Sequence, residues 1–142
     1  VPGNFVATSA TTIAAPAGRV WDVITDPAAV KVFMFGADLV TDWAVGGPIV
    51  WRGEWEGKPY EDKGKILEVE AGRKLVHTHF SPLGGEEDKP DNYHTLTWSL
   101  EDQGGETKLT LAQDNNATEE AAEHSQRMWD MLVADVKKIA ER

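Results

Sequence analysis

Three of the four histidines lie in two short stretches, "LVHTHF" and "NYHTLTW", and Asp62 stands a little upstream of the first. Imidazole takes and gives up a proton near neutral pH because its ordinary pKa is about 6.5, and a neighbouring carboxylate can orient or charge the ring. His77, His79, His94 and Asp62 are therefore the candidate acid and base groups, suited to proton abstraction or an aldol-type ring closure. On an extended strand His77 and His79 point to one side about 7 Å apart, a spacing that metal sites use when a third ligand converges. No carboxylate completes such a set at a recognisable spacing, so neither a metal nor a cofactor is expected. The preferred reading is a polar lining, in which these imidazoles and Gln113 bond to one another, to water or to the polar end of a ligand.

A second cluster is aromatic. "WAVGGPIVWRGEW" puts Trp43, Trp51 and Trp55 and three glycines within residues 43–55. Each such ring buries roughly 150–250 Å², so the rings either fill an ordinary core or line a space within it.

Strands must position both clusters. From Asp38 onward apolar and polar residues alternate between turn residues, the pattern of a long antiparallel sheet. Tight turns at 56–59, 70–73 and 102–105 predict the pairs Trp51 with Gly64, Ile49 with Ile66, Ile66 with His77, Gly64 with His79 and Trp98 with Leu109. One face then collects Ile49, Trp51, Trp55, Ile66, Leu75, His77, His79, His94, Leu96, Trp98, Leu109 and Leu111. Arg52, Glu54, Lys63, Lys65, Thr95, Thr97, Lys108 and Thr110 fall on the solvated face. Gly64, between Trp51 and His79, would leave a gap in the buried row.

Helices flank this sheet. "FVATSATTI" reads as a first strand, "PAGRVWDVIT" as a helix with Pro16 in its first turn, and residues 28–34 as a short helix stopped by Gly36. The last segment is the clearest helix, with Thr118 as N-cap, Glu119 and Glu120 at its start and Lys137 and Lys138 at its end. Its apolar stripe is read as Ala121, Ser125, Met128, Trp129, Leu132, Val136 and Ile139. His124 is expected at the surface. The connection 81–92, rich in Pro, Gly and acid, is read as a lid or mobile loop, with Phe33, Met34 and Phe35 as an opposite apolar lip.

Bulk properties bound the function. A chain of 142 residues fits one domain, 1–142, and a net charge of −10 disfavours nucleic acid or an anionic membrane face as partner. There is no apolar run of membrane-spanning length and no signal-peptide pattern. Zero cysteines exclude disulfides and thiolate chemistry and suit a cytoplasmic protein. The chain opens on Val1 rather than Met, as processing or trimming would leave it. The motifs of P-loop, serine-hydrolase and dinucleotide-binding enzymes are lacking, so hydrolase, kinase and dehydrogenase readings have no support.

The order of strand, two short helices, long antiparallel sheet and C-terminal helix resembles the START-like helix-grip superfamily, an α+β fold. "IAAPAGRVWDVITDP", "VGGPIVWRGEWEGKPYEDKGKILEVEAGRKLVHTHF" and "TLTWSLEDQGGETKLTLAQDN", in that order over about residues 5–140, resemble the heat-shock-protein-90 ATPase activator homologue family, often grouped with polyketide cyclases. The resemblance implies a curved antiparallel sheet wrapped around a long C-terminal helix, with a cavity between them for a small apolar or amphipathic molecule. The expected lining is Phe33, Phe35, Trp51, Trp55, Gly64, Ile66, His77, His79, His94, Trp98, Met128 and Leu132. Binding is preferred to catalysis; the alternatives are a cofactor-free cyclase or lyase and a module stimulating a chaperone ATPase. A chaperone contact and a homodimer are further partner options.

Overall fold

The computed structural model describes residues 5–82 and 87–142, with the side chain of Trp55 outside the described part. Seven antiparallel strands form one bent sheet: β1 (Phe5–Ile13), β2 (Asp38–Thr41), β3 (Pro48–Trp55), β4 (Lys58–Glu70), β5 (Lys74–His79), β6 (His94–Asp102) and β7 (Thr107–Asn116). Their spatial order is β1-β7-β6-β5-β4-β3-β2, so β1 and β2 are its edges. Helices α1 (Ala17–Thr25) and α2 (Pro27–Phe33) join β1 to β2, and α3 (Glu119–Ala140) follows β7. This is the helix-grip arrangement expected above.

Period-two burial explains the sheet. Ile49, Trp51, Ile66, Leu75, His77, His79, Leu96, Trp98, Leu109 and Leu111 are all buried, and Arg52, Glu54, Lys65 and Lys108 are not, as the alternation requires. Two hairpin registers differ from expectation by two residues. Glu56 and Gly57 both take positive φ and close β3–β4 as a two-residue loop, so Trp51 faces Asp62 and Ile49 faces Gly64. In β6–β7, Asp102 pairs with Thr107 around residues 103–106, which sets Trp98 opposite Leu111. The β4–β5 pair keeps Ile66 opposite His77, past an irregularity between Ile66 and Glu68 that fits a bulge at Leu67.

Local chemistry sets the helices. Asp26 caps α2 by accepting from the Ala28 amide, and Pro27 occupies its first position, so residues 25–27 end one helix and start the next. The Thr118 hydroxyl accepts from the Ala121 amide at 3.0 Å and caps α3. Thr118→Ala is expected to lower stability by about 1 kcal/mol in urea unfolding, with the folded spectrum unchanged.

The buried stripe of α3 is Ala122, Trp129, Leu132, Val133, Val136 and Ala140. Trp129, Leu132 and Val136 are buried as expected, but the stripe is rotated at its margins: Met128 turns outward with Met131, Ala122, Val133 and Ala140 are buried beside the expected three, and Trp129 donates its indole N–H to the Gln113 side-chain oxygen at 3.2 Å. A hydrogen-bonded indole is the larger apolar group to bury, and it fixes the helix's rotation. His124 is exposed, as expected.

Candidate functional site

The buried face of β3–β6 meets α1, α2 and β2 in a narrow crevice. Its floor is Ile49, Trp51, Leu75, His77, His79, Leu96 and Trp98. Its outer wall is Ile24, Val30 and Phe33 from the two helices, then Met34, Leu39 and Trp43 from the segment that carries β2. The unfilled room is about 20 Å³. That is space for a single water, whereas drug-sized ligands occupy roughly 300–1,000 Å³.

The polar groups of the floor are ordered by neighbours. Trp51, only 5 % exposed, lies between the two imidazoles, with ring centroids 5.2 Å from His77 and 5.1 Å from His79. His77 is fully buried. One of its nitrogens, Nδ1, lies 2.9 Å from the Thr78 carbonyl, and the other, Nε2, accepts the Trp98 indole N–H at 3.1 Å. These partners fix the neutral tautomer with the proton on Nδ1. Burial pushes its pKa down to about 4, opposed by the Thr78 carbonyl and reinforced by nearby His79. A ring held neutral at ordinary pH and bonded at both nitrogens is a structural strut and a poor proton carrier.

His79 is different. It is 9 % exposed, and its Nε2 lies 3.1 Å from Oδ2 of Asp62. Neither its Nδ1 nor the other Asp62 oxygen, Oδ1, has a hydrogen-bond partner among the described residues, although both atoms are buried. Buried polar atoms are nearly always paired, so two orphans on one interacting pair single it out; of the two residues, His79 lines the crevice.

Several expected lining residues stand elsewhere. The gap at Gly64 is closed, because a Cβ there would lie 1.8 Å from the Thr78 carbonyl oxygen; glycine admits the neighbouring backbone instead of leaving a hollow. Ile66 and Leu132 are core residues away from the crevice, and no α3 residue lines it. Met128 faces out. Phe35, with φ 58° and 53 % exposure, turns away from the wall that Phe33 and Met34 form. His94 is half-buried at the strand start and bonds the Asp114 carbonyl through Nδ1 at 2.7 Å. Trp55 ends β3, and its side chain lies outside the described residues. Leu39 and Trp43 are wall residues that sequence reasoning did not place, although the short apolar "ADLVTDW" run was a signal for an edge strand.

Of the 81–92 connection, residues 83–86 lie outside the described part. The rest is fastened to the sheet: Asp88 pairs with Lys63 and accepts from the Tyr93 hydroxyl at 2.6 Å, and Tyr93 stacks on Phe80. Among the described residues no cluster of His, Asp or Glu could hold a metal, and no helix is long and apolar enough to cross a membrane.

A family model described as Activator of Hsp90 ATPase homolog 1-like protein matches residues 14–141. The chain belongs to that family. Among solved structures, a protein from Cytophaga hutchinsonii is 41 % identical with a TM-score of 0.85, covering 99 % of this chain and 97 % of that one. The Aha1 dimer from Colwellia psychrerythraea shares the fold at 15 % identity and a TM-score of 0.74, covering 96 % of each chain. CalU16 from Micromonospora echinospora does so at 18 % and 0.72, covering 99 % of this chain and 86 % of that one. No curated protein matches the chain. The Activator of Hsp90 ATPase homolog 1-like fold is thus common to chains of very different sequence, and fold alone does not assign an activity.

Proposed function

We propose that this chain binds a small, largely apolar molecule in the crevice between α2, β2 and the sheet. One observation carries the reading: a buried, aromatic-walled crevice includes an imidazole whose Nδ1 has no partner among the described residues. Apolar walls with one or two fixed polar groups are the usual make-up of a small-molecule site. Since the room is only about 20 Å³, binding must displace the outer wall. The segment suited to move is 34–43. Phe35 and Trp43 hold left-handed φ values of 58° and 60° near its ends, conformations costly for bulky residues, and β2 between them is a four-residue edge strand.

Amide chemical-shift mapping with a panel of fatty acids and aromatic compounds tests the proposal. Shifts centred on Met34, Leu39, Trp43 and Trp51 are expected; a broad panel that leaves them unmoved defeats it. Met34→Ala, which thins the outer wall, is expected to raise the association rate several-fold in stopped-flow tryptophan fluorescence. An unchanged rate would mean that entry does not pass this wall.

The 3.1 Å contact of His79 with Asp62 favours a second reading, a cofactor-free cyclase or lyase in which His79 moves a proton and Asp62 holds its ring. Under it, His79→Ala abolishes turnover of a bound compound while affinity persists.

A further inference from the structure

We propose that the molecule bound in this crevice is a neutral aromatic compound carrying a hydroxyl or amine that donates a hydrogen bond to the His79–Asp62 pair. This rests on the binding reading above and names the chemical class that the site selects.

The argument is one of hydrogen-bond sign. A carboxylate only accepts. When Oδ2 of Asp62 takes the Nε2 proton of a neutral His79, the remaining nitrogen, Nδ1, keeps a lone pair and accepts as well. Both orphaned atoms of the pair are then acceptors. The other floor imidazole brings no help, since both His77 nitrogens are already bonded. With His79 neutral, what the pair lacks is a donor. A phenol or an aryl amine supplies one without charge. A carboxylic acid in its ionised form brings further acceptors and a negative charge toward Asp62, in a setting too dry to screen it. The body of the ligand follows from the walls: Trp51, Trp98, Phe33 and Trp43 offer ring surfaces, against which a planar aromatic packs with more contact and less lost freedom than a flexible chain.

A matched set isolates the claim. 2-Naphthol, 2-methoxynaphthalene and 2-naphthoate share one ring system and differ in donor capacity and charge. Calorimetric titration is expected to show naphthol binding about tenfold or more tightly than its methyl ether, the usual penalty for leaving a buried acceptor unpaired, with naphthoate weakest. In His79→Phe the advantage of naphthol over the ether should vanish, and in Asp62→Asn naphthoate should gain. Equal affinities for the three in the native chain, or a preference for naphthoate, would overturn the donor rule while leaving the binding reading intact. Failure of all three, together with no response to the broader panel, would overturn both.

Discussion

Replacing Gly64 with Ala is expected to lower stability by roughly 3 kcal/mol or more and the melting temperature by on the order of 10 °C. The added carbon would lie 1.8 Å from the Thr78 oxygen, 2.5 Å from its carbonyl carbon and 3.2 Å from the His79 nitrogen. All three are backbone atoms, so no rotamer change relieves the clash. The strands are also pinned on either side: Lys63 exchanges backbone bonds with Phe80 at 3.0 and 2.7 Å, and the Lys65 amide bonds the Thr78 hydroxyl at 2.9 Å. Relief therefore requires β4 and β5 to part, and the Asp62–His79 pair parts with them. Gly18→Ala is the contrasting variant. Its site on α1 has no heavy atom within 4 Å of the new carbon, and the change should gain a few tenths to about 1 kcal/mol. Urea unfolding of both variants checks the pair; a Gly64→Ala chain within about 1 kcal/mol of the parent would show that the two backbones are not this close.

Acidification supplies the second large effect. A histidine in the unfolded chain protonates near pH 6.5, whereas His77 in the fold resists protonation until about pH 4. Between those values the unfolded chain binds more protons, so the contribution of neutral His77 is fully present above about pH 6.5 and is lost as the pH falls toward 4. At about 1.4 kcal/mol per pH unit the loss amounts to roughly 3 kcal/mol. The His77→Leu chain should be weaker at pH 8, where the Trp98 indole has lost its acceptor, yet should lose less stability on acidification. Urea midpoints measured from pH 8 to 4 for both chains decide the matter: parallel curves would remove His77 as the titrating group.

Much of this architecture is legible in the sequence, and the two register shifts show why. A slip of two residues leaves every side chain on its own face, so the expected face is buried from Ile49 to Leu111 apart from half-buried His94, with the Trp55 side chain outside the described residues, although the partners of Trp51 and Trp98 differ. The observed register sets Trp51 opposite Asp62, whose carboxylate reaches His79 as the grouping of these residues anticipates. Turn geometry decided it. "EWEGKP" admits a two-residue or a four-residue loop, and only the backbone angles of Glu56 and Gly57 separate them. Gly64 was misread for a related reason. A missing side chain signals either empty space or another backbone in its place, and composition does not distinguish the two. The α3 stripe is right at Trp129, Leu132 and Val136 but too wide at Met128, since the two neighbours Met128 and Trp129 are both apolar and the Trp129–Gln113 hydrogen bond that sets the helix's rotation spans separate elements. His77 and His79 look alike in "HTH", but the strut and the unsatisfied group are told apart only by the Trp98 and Asp62 side chains that reach them.

Half of the crevice's outer wall, Met34, Leu39 and Trp43, comes from the segment that carries the edge strand β2, whose one neighbour is β3, while the floor belongs to strands inside the sheet. Changes in residues 34–43 can therefore alter what fits without disturbing the strands on which folding depends. The shape of the wall and the robustness of the sheet are held in different parts of the polypeptide, and one can drift while the other stays fixed.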